Sequence, residues 1–371
     1  MHILFTGGGT AGHINPALAV AGYIKKKYPD AKISYIGTAS KLEAQLVPAA
    51  GYDFYSVDVA GFQRKISFKA FKRNISAAAK AVTASHTSKK LLKQLKPDLV
   101  FGTGGYVSGP VLREAAKIGI KTAAHESNAY PGVTIKLLAP IVDAVMLAYP
   151  EAKKYLKCKN PAIITGNPIR GEILHTDKKA AKERLGISDD KPMLLSFGGS
   201  LGAAALNRAA VGLIGDNGGR YHHYHGTGKS GYKTMLAELK SKGLSPESET
   251  VHISEYINNM NDMLAAADLV VCRGGAMTLS ELAACGKPAI IIPSPYVAEN
   301  HQFHNAMSLK NHGAAEVIEE KDLTAEVLKS AVYELLFDKN KLRTMSSNSR
   351  DLAINDANER ILRVIERLLS I

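Results

Sequence analysis

Four times along this chain a short apolar run ends in a glycine turn, and the four fall into two matching pairs. The first pair is His2–Thr6, closed by Gly7-Gly8-Gly9-Thr10-Ala11-Gly12-His13 and followed by a helix through Ala17–Lys27, and Leu99–Phe101, closed by Gly102-Thr103-Gly104-Gly105. The second pair is Met193–Phe197, closed by Gly198-Gly199-Ser200-Leu201-Gly202 with a helix from about Ala203, and Asp268–Cys272, closed by Arg273-Gly274-Gly275 with a helix through Ala284. Further strands are expected at Lys32–Ile36, Lys121–Ala124 and Ala144–Leu147. Short strands alternating with helices predict parallel sheets covered on both faces, so the fold class is α/β: two Rossmann-like, doubly wound domains. A length of 371 residues accommodates two domains. The boundary is expected in Thr165-Gly166-Asn167-Pro168-Ile169-Arg170, where Gly, Asn and Pro are linker chemistry, giving domains 1–165 and 166–345. The remaining residues, 346–371, carry Ile354, Ala357, Ile361, Ile365 and Leu368 at helical spacing. That apolar stripe must dock on one of the domains; the pattern alone leaves open which.

A glycine turn between strand and helix lets the backbone approach an anion closely, and the N–H groups of the helix start point at it. Four such turns predict phosphate binding. Gly7, Gly9 and Gly12 formally match a dinucleotide fingerprint, but that chemistry also needs an acid at the end of the second strand to hold ribose. Here Ile36 is followed by Gly37-Thr38-Ala39-Ser40, which argues against a dehydrogenase. No Gly-x-x-x-x-Gly-Lys-Ser/Thr loop is present, which argues against a P-loop nucleotidase. His13 lies in the first turn of the first helix, whose positive end disfavours a charged ring; a neutral imidazole is what a general base requires. Capping or packing is the alternative reading. Glu281 is placed to bind the two hydroxyls of a ribose, or simply to complement a helix start. Glu126 and Asn128, in His125-Glu126-Ser127-Asn128, follow a strand end, where open α/β sheets bind ligands.

The net charge of +13 raises three anionic partners: nucleic acid, a membrane surface or a phosphorylated substrate. Much of the excess is local, because no Asp or Glu occurs from Phe62 to Pro97. Within that stretch Phe68, Phe71, Ile75, Ala79 and Val82 form an apolar stripe beside Lys69, Lys72 and Arg73. This is an amphipathic cationic helix suited to an anionic membrane, or else an ordinary helix facing a core. Nucleic acid would explain the charge but not the glycine turns, and interleaved exposed aromatics are lacking. No apolar run is long enough to span a bilayer. The N-terminus lacks the basic start and apolar stretch of a signal peptide, so a cytoplasmic location is expected. Cys158, Cys272 and Cys285 have no metal-type spacing and read as small buried side chains.

Taken together, Gly7–Ala19 (GGGTAGHINPALA), Gly102–Pro110 (GTGGYVSGP), His125–Asn128 (HESN), Gly166–Arg170 (GNPIR), Gly198–Ala203 (GGSLGA) and Arg273–Glu281 (RGGAMTLSE) resemble the MurG family. These are the N-acetylglucosaminyltransferases of peptidoglycan synthesis. The resemblance implies a GT-B fold with a cleft between the domains and a C-terminal helix that returns to the first. It implies inverting transfer of GlcNAc from UDP-GlcNAc to the C4 hydroxyl of the MurNAc unit of lipid I, giving lipid II, at the cytoplasmic face of the cell membrane. No cofactor and no obligatory metal are implied. By the same resemblance His13 is the base, with Glu126 as a second catalytic residue. Gly9, Gly104, Gly105 and Tyr106 lie on the acceptor side. Thr10, Ala11 and Gly12 face the acceptor diphosphate and the donor sugar, and Asn128 and Gln302 contact the GlcNAc. Arg170, Ser200 and the helix start Ala276, Met277, Thr278, Leu279, Ser280 and Glu281 hold UDP, and the Ile257 backbone reads uracil. The sequence departs from the family at Ala11 (commonly Gly), Leu201 (Gln), Gly275 (Ser) and His301 (Gln). A transferase for another lipid acceptor, a UDP-sugar epimerase and a non-catalytic nucleotide-binding module are the alternatives.

Overall fold

The computed structural model describes residues 1–59, 83–169, 173, 176–199 and 201–371. The chain forms two compact units, Met1–Ile169 with Asp356–Ile371, and Arg170–Asn355.

In the first unit β1 (His2–Thr6), β2 (Lys32–Gly37), β3 (Asp53–Ser56), β4 (Leu99–Gly102), β5 (Lys121–Glu126), β6 (Ala144–Leu147) and β7 (Ile163–Ile164) form a sheet in the order β3-β2-β1-β4-β5-β6-β7. Every pairing is parallel. The helices are α1 (Ala11–Lys27), α2 (Glu43–Ala49), α4 (Ser108–Lys117) and α5 (Val133–Leu138), with residues 83–95 also helical (α3). Strand β1 shows why the strands read as continuous apolar runs rather than alternating ones. Ile3 and Phe5 pack with Ala17, Val20 and Ile24 of α1, while Leu4, pointing the other way, packs with Val111 and Leu112 of α4. Both faces of a parallel sheet are covered, so both need apolar side chains.

The apolar stripe near the C-terminus is α14 (Ala357–Leu369). Its Ile361, Leu362, Val364 and Ile365 are buried in the same cluster as Val20 and Ile24. Two hydrogen bonds reinforce the docking: Asn358 Nδ2 donates to Ile169 O (2.9 Å) and Tyr28 Oη to the Glu366 carboxylate (2.6 Å). The first unit therefore receives this helix.

The second unit repeats the design with β8 (Met193–Phe197), β9 (His222–Gly226), β10 (Val251–Ser254), β11 (Leu269–Cys272), β12 (Ala289–Ile291) and β13 (Ala315–Val317), in the order β10-β9-β8-β11-β12-β13. Its helices are α6 (Lys178–Arg184), α7 (Ala204–Asp216), α8 (Tyr232–Ser241), α9 (Met260–Ala266), α10 (Ala276–Cys285), α11 (His301–Asn311), α12 (Ala325–Leu336) and α13 (Lys339–Asp351). Helix α13 stays with this unit because Ser346 Oγ donates to Gly286 O (2.7 Å) and Ser349 Oγ to Lys287 O (3.3 Å).

Truncating Ile365 to Ala leaves a cavity against α1. We expect a loss of about 2–5 kcal/mol, typical of a buried aliphatic truncation, read by urea unfolding. An unchanged midpoint would mean that α14 contributes nothing to the first unit.

Candidate active site

In the first unit the turns after β1 and β4 are locked together backbone to backbone. A β-carbon added at Gly105, where φ is +79°, would lie 2.3 Å from Gly8 O. One at Gly7 would lie 2.2 Å from Thr103 Oγ1. Only glycine permits this approach. The lock is tightened by hydroxyls: Tyr35 Oη donates to Gly7 O (2.8 Å), and Thr103 Oγ1 to His13 O (2.5 Å).

His13, half-buried in the first turn of α1, has its Nδ1 3.1 Å from Thr103 O. A carbonyl oxygen only accepts, so Nδ1 carries the proton, and in the neutral ring Nε2 keeps its lone pair. This is the tautomer and orientation of a general base. Gly104, with φ at +100°, lies under the ring: a β-carbon there would sit 3.0 Å from His13 Nδ1. The structure thus brings His13, Thr10, Ala11, Gly12, Gly104, Gly105 and Tyr106 together beyond the C-terminal ends of the central strands β1 and β4, with Tyr106 59% exposed. Thr10 is the extended N-cap residue of α1, and its side chain makes no capping bond among the described residues.

One residue escapes the sequence reading altogether. Glu43, fully buried at the start of α2, accepts from Gly9 N and Thr38 N, each at 3.0 Å. A β-carbon at Gly8 would strike its Oε1 at 2.3 Å. Gly9, expected on the acceptor side, therefore gives its N–H inward to a carboxylate. In the first turn of α1, His13 N and Ile14 N donate to Thr10 O at 3.1 and 3.3 Å, so the N–H groups that this helix start offers to an anion are those of Ala11 and Gly12. The only hint in sequence is an acid in an otherwise apolar stretch, Leu42–Val47.

Glu126 and Asn128 meet at the end of β5. Glu126 Oε1 accepts from Asn128 N and Asn128 Nδ2, both at 2.9 Å, and its Oε2 accepts from Gly132 N at 2.8 Å. The carboxyl is buried, and burial raises its pKa against the pull of these N–H donors. Both oxygens are engaged in shaping the loop that carries Asn128. This geometry suits a positioning residue better than the catalytic one expected from the resemblance.

In the second unit the same device recurs. A β-carbon at Gly202 would meet Thr227 O at 2.2 Å, and one at Gly228 would meet Gly202 N at 2.1 Å. Leu201 projects from this turn, 78% exposed. Ile257 lies over Gly226 at the ends of β9 and β10. It also borders a depression of about 230 Å³ lined by Tyr224, His252, Tyr256, Asn259 and Met263. At the end of β11, Gly274 abuts Gln302 O, and Asn305 Nδ2 donates to Gly274 O at 3.1 Å. Gln302 Oε1 accepts from Ser294 N at 2.9 Å.

Helix α10 starts at Ala276, with Gly275 as an extended N-cap residue that supplies no capping side chain. Ala276, Leu279, Leu282 and Ala283 are its buried stripe. Leu279 is fully buried, so the contiguous run Ala276–Glu281 does not face outward as a whole. Helical periodicity turns Ala276 and Leu279 into the core and leaves Met277, Thr278, Ser280 and Glu281 half-buried on the other face. Arg170, Ser200 and the segment residues Phe68, Lys69, Phe71, Lys72 and Arg73 lie outside the described residues. Among the described residues no group of three or more His, Cys, Asp or Glu is placed to hold a metal ion, and no helix is long and apolar enough to cross a membrane.

Two parallel-sheet units with glycine turns at their strand ends define a GT-B-type protein. The N-terminal domain of glycosyltransferase family 28 matches residues 3–147, and the C-terminal domain of that family matches residues 193–361. A UDP-N-acetylglucosamine–N-acetylmuramyl-(pentapeptide) pyrophosphoryl-undecaprenol N-acetylglucosamine transferase of Acetivibrio thermocellus is 44% identical, over 100% of this chain and 98% of its own. The crystal structure of MurG from Acinetobacter baumannii superposes with a TM-score of 0.81 at 28% identity, covering 99% of each chain. The UDP-GlcNAc 2-epimerase of Neisseria meningitidis, at 13% identity and TM-score 0.68 over 99% of this chain and 100% of its own, shares the fold alone. The chain belongs to glycosyltransferase family 28 and, within it, to the MurG family.

Three histidines of the two units are buried and neutral. Burial lowers His125 to about 4, a pull that its bond to Gly166 O partly offsets, and burial lowers His225 to about 4. His223 falls to about 3 through burial and then through its neighbour His225. In the unfolded chain such rings titrate near 6.5. Their contribution to stability is therefore complete above pH 6.5 and drains as pH falls toward 4, by about 1.4 kcal/mol per pH unit for each ring. Glu126, shifted upward, works in the opposite sense. We expect the thermal midpoint to drop between pH 6.5 and pH 5, measured by calorimetry in buffers of constant ionic strength. A flat profile would mean that these rings charge freely in the folded state.

Proposed function

We infer that this protein is a UDP-GlcNAc-dependent N-acetylglucosaminyltransferase of peptidoglycan synthesis. It transfers GlcNAc to the C4 hydroxyl of the MurNAc unit of lipid I and yields lipid II. The observation that carries the chemistry is the 3.1 Å contact of His13 Nδ1 with Thr103 O, which orients the ring and, in its neutral form, places the lone pair on Nε2. In the reaction Nε2 takes the C4 hydroxyl proton as that oxygen bonds to C1 of the donor sugar. The C1–oxygen bond to the diphosphate breaks at the same time, its electron pair leaves with UDP, and the configuration at C1 inverts. General-base help of this kind is worth roughly 10²–10⁴ in rate. The charge that grows on the leaving diphosphate needs preorganised donors. The N-terminus of α10 supplies N–H groups of the right kind, with Arg170 and, after β8, Ser200 as side-chain ligands. Thr278, Ser280 and Glu281, on the outward face of α10, hold the ribose and uridine side, and the Ile257 backbone reads the base. Gln302 and Asn128 contact the sugar, with Glu126 as the positioning residue for Asn128. Tyr106 and the first turn of α1 bind the acceptor. The acceptor is a membrane lipid, so we place the protein at the inner face of the cell membrane, held by Phe68, Lys69, Phe71, Lys72 and Arg73.

The test is transfer of radiolabelled GlcNAc from UDP-GlcNAc to a short-chain lipid I analogue with EDTA present. A labelled disaccharide-lipid is expected. UDP release without that product would sink the reading. In the same assay His13→Ala should lower kcat by about 10²–10⁴ with UDP affinity retained, whereas unchanged turnover would remove His13 from the mechanism. Replacing Lys69, Lys72 and Arg73 with Ser should weaken sedimentation with anionic vesicles, at about 1 kcal/mol per charge. Undiminished binding would move the membrane contact elsewhere.

A further inference from the structure

Beneath the glycine turns of the second unit runs a buried chain of polar side chains. Asn207, on the second turn of α7, donates from Nδ2 to Thr227 O (3.0 Å). That bond settles its amide orientation, because an amide oxygen in the same place would face a carbonyl oxygen. Asn207 Oδ1 is therefore an acceptor, and His225 Nε2, 3.1 Å away, is the N–H that donates to it. His225 Nδ1 is then a lone pair and accepts from Ser196 Oγ (2.7 Å). Ser196 Oγ in turn accepts from His223 Nε2 (2.7 Å). Ser196 and His223 are 0% exposed, His225 1% and Asn207 5%. With the rings neutral, one set of protons satisfies every bond: His223 to Ser196 to His225 to Asn207 to the Thr227 carbonyl.

The end point of the chain matters. Thr227 O is the atom that a β-carbon at Gly202 would strike at 2.2 Å, and one at Gly231 would meet it at 2.8 Å. It stands at the junction of the two glycine turns that close β8 and β9. The same loop is tied to the end of β10, since Thr227 N donates to Ser254 O and Gly228 N to Glu255 O, both at 3.0 Å. The position of one carbonyl thus sets the 199–202 turn against the segment that leads to Ile257. A core lined only by apolar side chains would pack this sheet as well, but it would leave that carbonyl unheld.

We propose that Asn207, His225 and Ser196 are positioning residues for the donor: together they hold the Thr227 carbonyl, and through it the spacing between the turn that meets the diphosphate and the segment that reads the base. This rests on the donor reading given above. Ser196 touches neither turn through its side chain. It acts by giving the buried Nδ1 lone pair of His225 a donor; without the hydroxyl that lone pair is left unpartnered, and the Nε2–H tautomer that Asn207 Oδ1 requires loses its support.

The experiment measures UDP affinity of the full chain by titration calorimetry, for the wild type and for Asn207→Asp, Ser196→Ala and Ser196→Thr, beside KM and kcat for UDP-GlcNAc and the thermal midpoint. Asn207→Asp and Ser196→Ala are expected to weaken UDP binding and raise the donor KM at least fivefold. Turnover at saturating donor should change less, and Ser196→Thr, which keeps the hydroxyl, should restore affinity. Nitrogen-detected NMR of the wild type should show His225 protonated on Nε2. If Asn207→Asp does not fold, Ser196→Ala decides alone. A folded Ser196→Ala with UDP affinity within twofold of wild type overturns the proposal, as does an Nδ1-protonated His225. Failure of the wild type itself to bind UDP overturns the donor reading instead.

Discussion

A carbonyl oxygen seated against the α-carbon of a glycine is the contact from which both halves of this protein are built. In the first unit Gly8 O meets Gly105, and in the second Thr227 O meets Gly202. No side chain fits between the partners, so in each unit two strand-end turns are forced into one rigid platform. Everything of chemical interest is mounted there. The ring of His13 is aimed by Thr103, which belongs to the turn after β4 rather than to the helix that carries the histidine. Because His13 and its orienting group follow strands paired side by side, β1 and β4, the sheet register itself fixes the tautomer.

Beneath these platforms lie polar groups whose cost of burial must be met by hydrogen bonds. Glu43 is held by two backbone N–H groups, Glu126 by three donors from its own loop, and Ser196, His223, His225 and Asn207 by one another. Each set shapes a loop rather than facing outward. A half-satisfied network of this kind is worse than an apolar core, so the glycine turns above can shift only if these bonds are broken together. The design trades some folding stability, most of all in acid, for precision in the placement of N–H groups.

The fold was legible because its signals are local. Apolar runs such as Met193–Phe197 and the glycine clusters that close them mark strand ends, and the spacing of Ile361 and Ile365 marks a helix with one buried face. Strands β3, β7, β9, β10, β12 and β13 were missed. β9 reads His-His-Tyr-His-Gly, and its His223 and His225 are buried because Ser196 and Asn207 arrive from elsewhere in the chain. In the candidate site, His13 and the glycines were legible as a motif. Glu43 was not, since nothing near it in sequence says that its carboxylate reaches back to Gly9. The run Ala276–Glu281 was read as one contiguous binding segment, whereas the helix divides it between core and surface.

The sequence by itself therefore determined the class of fold, the positions of the turns and the family, because strand, turn and helix propensities and glycine's freedom of φ act over a few residues. Tertiary structure alone decided which N–H groups remain for a ligand, which nitrogen of His13 carries the proton, what Glu126 does with its oxygens and which unit receives the last helix. Apart from Glu126, whose donors come from its own folded loop, each is settled by a partner distant in the chain, Thr103 for His13 and Val20 and Ile24 for Ile365. Hydrogen-bond direction and burial are properties of such encounters in space, and no local pattern encodes them.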